Sequence, residues 1–159
     1  MRQPPKNQIN LRGLKVWRLQ EIINSIIFLL VVIALFTLSY FFNWPYWIGA
    51  IAAVLWLIVS IVSIWIYPNV KHKYWRYEVL ENEIDIQHGI FVNKRVIVPM
   101  VKVQHVDTTQ GPLLRRFNLS TVEISTAATK HLIPALDAEE ADQLRDFISR
   151  LARVTEDDV

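Results

Sequence analysis

Residues 22–70 read IINSIIFLLVVIALFTLSYFFNWPYWIGAIAAVLWLIVSIVSIWIYPNV, 49 consecutive positions without an Asp, Glu, Lys, Arg or His. A helix or strand of a soluble fold needs a wet face, so a soluble chain spreads its charges along its length. Here every charge falls in the first 21 residues or after position 70. The chain is built for two solvents. A bilayer core of about 30 Å takes roughly 20 apolar residues at about 1.5 Å rise each. The run therefore holds two spans, expected at 22–42 and 46–67. A turn falls at Asn43-Trp44-Pro45, because Pro disfavours helix in the residue before it and suits the first helical position. Pro68-Asn69 is expected to end the second span.

The flanks agree with this reading. Tyr40, Phe41, Phe42, Trp44, Tyr46 and Trp47 gather at the hairpin tip, while Trp17, Trp65, Tyr67, Tyr74 and Trp75 lie near the opposite boundary. Trp and Tyr favour the headgroup level, where a ring can be apolar at one end and wet at the other. Arg2, Lys6, Arg12, Lys15 and Arg18 precede the first span and Lys71, Lys73 and Arg76 follow the second, with no cation between. The positive-inside rule then expects both termini in the cytoplasm and a two-span protein of the plasma membrane. The apolar run is too long for a cleaved signal peptide. With no intramembrane charge there is no proton relay or ion-coupling site to nominate. Gly49, Ala53 and Ser60, with Ser63 nearby, form a small-residue stripe, suited to packing within the hairpin or against a partner's helix.

After Trp75 the texture changes to short alternating runs. Strands are expected at 76–80, 83–87, 90–98 with a bend at Asn93, 101–108, 120–126 and 131–133, with a helical turn at 113–117. Asp137 suits an N-cap, with Glu140 three residues on in the capping-box arrangement. Ala138, Ala141, Leu144, Phe147, Ile148 and Leu151 then make one apolar helical face. The domains expected are a basic segment 1–21, the hairpin 22–67, a mainly-β domain 74–154 closed by a C-terminal helix, and an acidic tail 155–159.

Ile97-Val98-Pro99, Val103-Gln104-His105-Val106-Asp107, Gly111-Pro112-Leu113-Leu114-Arg115-Arg116-Phe117 and Val122-Glu123-Ile124-Ser125-Thr126-Ala127 occur in that order. As an ordered string they resemble the bacterial membrane-anchored PH-like domain family, the YdbS-like group. The resemblance covers about residues 75–152, and the two-helix hairpin also fits the family's small members. Asn118 departs from the pattern, standing where the family usually has Gly; Asn tolerates a left-handed backbone nearly as well. The resemblance implies a PH-like β barrel closed by the C-terminal helix and no enzymatic activity. It also implies a companion role beside a larger membrane protein with related PH-like domains. Family character extends that expectation to cell-envelope defence, for instance against membrane-active peptides.

Chemistry is sparse. There is no cysteine, hence no disulfide or thiolate. His72, His88, His105 and His131 lack metal-ligand spacing, four glycines form no phosphate loop, and no cofactor is called for. His105 and Asp107 share a strand face, an arrangement commoner as ordinary strand surface than as an orienting pair. Lys and Arg number 17 against 15 Asp and Glu, which gives no nucleic-acid footprint. Beyond residue 70 the balance is 12 basic to 14 acidic. Five cations remain as candidates. Lys71, Lys73 and Arg76 follow the second span, where each can gain about 1 kcal/mol from anionic headgroups or simply set topology. Arg115 and Arg116 suit lipid phosphates, a partner's carboxylates or a solvated turn. The turn at Glu81-Asn82-Glu83 is acidic, where phosphoinositide-binding PH domains carry a basic first loop. The expected function is a non-enzymatic membrane subunit that binds a membrane protein partner. A sensor of anionic lipid headgroups is the alternative, and a homo-oligomer stays open.

Overall fold

The structure, a computed structural model, describes residues 3–90 and 92–157. The element order is β1 (Asn7–Gln8), α1 (Arg12–Phe41), α2 (Trp47–Ile61), a π-helical turn (Val62–Ile66), α3 (Tyr67–Tyr74), β2 (Arg76–Val79), β3 (Glu83–His88), β4 (Lys94–Pro99), a 3₁₀ turn (Met100–Lys102), β5 (Val103–Thr109), α4 (Pro112–Arg116), β6 (Leu119–Thr126), β7 (Lys130–Asp137) and α5 (Ala138–Asp157). Two compact units result: residues 17–69, and residues 1–16 together with 70–159.

The first unit is the hairpin. Its helices belong to stretches of 30 and 28 residues, long and apolar enough to cross a membrane. Ile26, Phe28, Leu30 and Ile33 on α1 and Leu55, Ile58 and Val59 on α2 are exposed, as lipid-facing side chains would be. Asn43 closes α1 in the left-handed region, φ 54°, and the Trp44 amide donates to Ser39 O at 3.0 Å. That is a Schellman C-cap with Asn in the position Gly usually takes. The small residues are used inside the hairpin. A Cβ on Gly49 would come within 2.8 Å of the Phe36 ring, Ser25 and Ser60 share a hydroxyl hydrogen bond of 2.7 Å, and Trp56 Nε1 donates to Ser25 O.

The expectation that Pro68-Asn69 ends the second helix fails: the chain stays helical to Tyr74. Proline lacks an N–H and its ring crowds the carbonyl four residues back. The π turn immediately before it widens the helix at that point. Asn69 Nδ2 then donates to Trp65 O at 2.8 Å, while its own Oδ1 accepts from Arg18 at 2.9 Å.

The second unit pairs two antiparallel sheets, β1-β2-β3-β4 and β5-β6-β7. Tyr77, Ile84, Ile86 and Val98 from the first, Met100 from the 3₁₀ turn, and Val106, Val122, Ile124, Ile133 and Leu136 from the second form one core. Ala141 and Ile148 of α5 complete it. This is the PH-like barrel with its C-terminal helix. Along β6 the core-facing Val122 and Ile124 are buried while Thr121, Glu123 and Ser125 are half-buried, and on β3 Asp85, between the buried Ile84 and Ile86, is buried as well and paired with Arg95.

The basic segment 1–21 is not a free-standing piece. Up to Val16 it belongs to the domain: Ile9 is buried, Val16 packs with Leu119 and Ala135, and β1 pairs with β2 through Asn7↔Tyr77 and Gln8↔Arg76, while Leu11 stays exposed. Arg12 joins Asp137 at 3.1 Å, and α1 starts at Arg12, ten positions ahead of the expected Ile22. Further differences are local. Residues 90 and 92 are not strand; Gly89, at φ 123°, makes the turn, and a Cβ there would meet Val92 O at 2.0 Å. Residues 100–102 form a 3₁₀ turn ahead of β5. β7 runs on through Pro134, tolerated because β7 ends its sheet. Two residues of β7, Pro134 and Ala135, there oppose one of β6, a bulge that puts Ala135 at φ 55°. Glu140 accepts the Tyr77 hydroxyl at 2.8 Å, and the Ala138 amide donates to Asn118 O. The acidic tail carries α5 on to Asp157, and the tail's last two residues lie outside the described ones.

Candidate functional site

Among the described residues, no group of three His, Asp or Glu side chains could hold a metal ion. His72 is buried, its Nε2 3.0 Å from Ile9 O, where it ties α3 to the N-terminal segment. His105 Nε2 does lie 3.0 Å from Asp107 Oδ1, but both side chains are largely in solvent. Without a nucleophile between them or a shielded site, the pair is an exposed contact worth little.

The five candidate cations stand on three elements. Lys71 and Lys73 lie in the last turn of α3, where cations complement the helix dipole, Lys73 being exposed. Arg76 is half-buried on β2; its Nη1 faces Pro5 O at 3.5 Å, a packing position against the N-terminal segment rather than a free headgroup ligand. Arg115 and Arg116 are exposed on α4. That turn is held from beneath by Leu113, Leu114 and Phe117, which pack on Val16, Leu119 and Ala135. Asn118 follows at φ 54°, the left-handed turn expected at that position.

A cleft that the sequence reading missed lies within the domain. About 370 Å³ in volume, it runs between the start of β4 and the start of β7. Its rim carries Lys94, Lys130, His131 and Leu132, and Trp75, Ile86 and Val96 give it an apolar floor. The rings of Trp75 and His88 meet edge to face at 5.2 Å, and His88 Nδ1 is buried without a hydrogen-bond partner. Burial, then the nearby Lys94 charge, holds both His88 and His131 below the ordinary imidazole value. Lys130 is raised, chiefly by its bond to Glu123 on β6 at 2.5 Å. No residue spacing announces this cleft. It forms because strands far apart in sequence end their sheets side by side, and only their strand-initial cations, Lys94 and Lys130, hinted at it. A second groove, of about 390 Å³, follows the seam of the hairpin from Glu21 to Leu35.

Comparison with known proteins places the molecule. The family model described as Bacterial PH domain matches residues 10–152. The chain belongs to this family. The bacterial PH match starts ahead of the first span, so hairpin and β domain fall under one family unit. The UPF0699 transmembrane protein YdbS of Bacillus subtilis (strain 168) is 69% identical over 159 residues, all of both chains. The UPF0699 transmembrane protein YdbT of the same organism is 24% identical over 107 residues, 63% of this chain and 20% of that protein. No solved structure matches. This bacterial PH protein is thus a transmembrane protein with two candidate spans and a sheet-rich domain.

Proposed function

We propose that the protein is a non-enzymatic subunit of the plasma membrane that holds its PH-like domain at the cytoplasmic face and there docks a membrane protein partner. One observation carries this reading. The domain keeps two strand edges, on β4 and β7, beside a cation-rimmed cleft, which is a surface for recognition rather than for bond-making. The partner class is a longer transmembrane protein of the same family. A relative of which this chain matches only 20% supports it, since shared modules on chains of different length suit assembly. Defence of the envelope against membrane-active peptides is the process proposed for such a complex. Purification from native membranes in mild detergent tests the subunit reading. A stoichiometric transmembrane partner is expected, and a solitary chain at native expression would overturn it.

A lipid sensor is the second reading, favoured by the exposure of Lys73, Arg115 and Arg116. Because β1, Ile9 and Val16 are parts of the domain, a fragment starting at residue 74 would lack part of its own core. The test therefore uses the full chain in nanodiscs with and without anionic lipid. Salt-sensitive protection of α4 from proteolysis, lost in Arg115→Glu, would support it. Equal protection in neutral nanodiscs would remove it.

A further inference from the structure

Resting on the partner-docking reading, we infer that the cleft between β4 and β7 takes an extended acidic segment of a protein partner. Each of the two strands ends its sheet, β4 in the order β1-β2-β3-β4 and β7 in β5-β6-β7. A terminal strand presents a row of backbone N–H and C=O groups, and an added strand can satisfy them. Between these edges lies an apolar floor of Trp75, Ile86 and Val96, and Leu132 stands at the rim 47% exposed. An occupant with only a charged head would leave this floor and the strand edges unused. An extended chain uses both, because its alternate side chains point to opposite faces.

Charge selects the kind of strand. Lys94, Lys130, His88 and His131 line the cleft, and among the described residues no Asp or Glu does. Glu123 neutralises Lys130 from β6, whereas Lys94 is exposed and acts on His88 and His131, both of which it disfavours as cations. The rim is thus short of negative charge, and a partner's carboxylate near Lys94 would supply it. A second copy of this chain fits poorly. Its own β4 opens with Lys94-Arg95 and its β7 with Lys130-His131, so edge pairing would set like charges against each other.

Fluorescence anisotropy tests the inference on the full chain in nanodiscs of neutral phosphatidylcholine. The probes are a labelled alternating Val-Glu octapeptide and its Val-Lys counterpart. The Val-Glu peptide is expected to bind, more weakly as salt rises, and to lose about tenfold in affinity in Lys94→Glu and in Leu132→Glu. Both side chains are exposed, so neither change disturbs the core, and Lys102→Glu, outside the cleft, is expected to bind as the parent does. Equal binding of the two peptides would overturn the proposal, as would unchanged affinity in both cleft variants. It would also fall if the peptides failed to bind while phosphatidylglycerol protected the cleft. A native partner that still co-purifies with Lys94→Glu and Leu132→Glu protein would sink the groove and leave the subunit reading standing. The absence of any partner from the parent protein would sink the reading itself.

Discussion

Gly13 and Ala135 show how little room the domain leaves where the N-terminal segment enters it. A Cβ on Gly13 would lie 2.6 Å from the Ala135 Cβ, and Ala135 cannot retreat easily. It sits in a bulge at φ 55°, with its carbonyl accepting the Asn10 amide at 3.0 Å. Ala in place of a helical Gly would gain up to about 1 kcal/mol in propensity, but overpacking of this kind costs about 1–3 kcal/mol. The clash wins. Gly13→Ala is therefore expected to lower the thermal midpoint of the detergent-solubilised chain, and Ala135→Gly added to it should restore most of the loss. A midpoint raised by Gly13→Ala alone would refute the close approach. The cleft histidines carry a second prediction. Burial, and then Lys94, hold His88 and His131 below their ordinary value of 6.5. The unfolded chain thus takes up more protons than the folded one once pH drops below about 6.5. Stability is complete above that value and declines as pH falls towards the lowered folded values. Midpoints measured from pH 7 down to pH 5 should decline, and the decline should be shallower with His88→Gln and His131→Gln together. An identical slope in that variant would assign the effect to other groups.

Elements differ in how openly the sequence declares them, and the reason is where their neighbours lie. The hairpin is legible because its solvent is uniform: lipid demands apolar side chains all round, and a run free of charge reports that without reference to any other segment. Helix α5 is legible for a related reason, its apolar face repeating at helical spacing against one core. Ile148 is fully buried in that face, so Ile148→Ala should cost about 2–5 kcal/mol, read as a lower midpoint with the helical spans intact. A change below the low end would mean that α5 does not close the barrel. β1 is the opposite case. Two residues carry no periodicity, and Asn7–Gln8 becomes a strand only because β2 offers an edge and Ile9 a buried anchor. Pro68 misleads because its local preference to end a helix is overridden by the π turn before it and by Asn69 capping the Trp65 carbonyl. The site divides along the same line. Lys71, Lys73, Arg115 and Arg116 could be found because they flank a span or stand in a motif, whereas the β4–β7 cleft depends on adjacency between strands that no spacing encodes.

On the scale of the whole molecule, the proposed orientation follows from an imbalance that the membrane itself reads. Five cations precede the first span and three follow the second within a few residues, while the tip between them carries none. Translocating either flank would carry those charges across the bilayer; translocating the tip moves only Asn43, Trp44 and their aromatic neighbours. The structure adds a constraint that the charges alone do not supply. Residues 3–16 and 70–157 build one domain, with β1 paired to β2, so a topology that separated the two flanks would have to leave that domain unfolded. In the proposed topology both ends share one side, and the cations choose which. Because the chain has no cysteine, a single introduced thiol reports its own location without background. Trp44→Cys at the tip is expected to react with a membrane-impermeant maleimide on intact cells. Lys102→Cys, in the domain and exposed, should react only after the membrane is permeabilised. The reverse pattern would place the domain outside and remove the cytoplasmic partner reading with it. Labelling of both sites on intact cells would mean mixed insertion and would overturn the proposed single orientation.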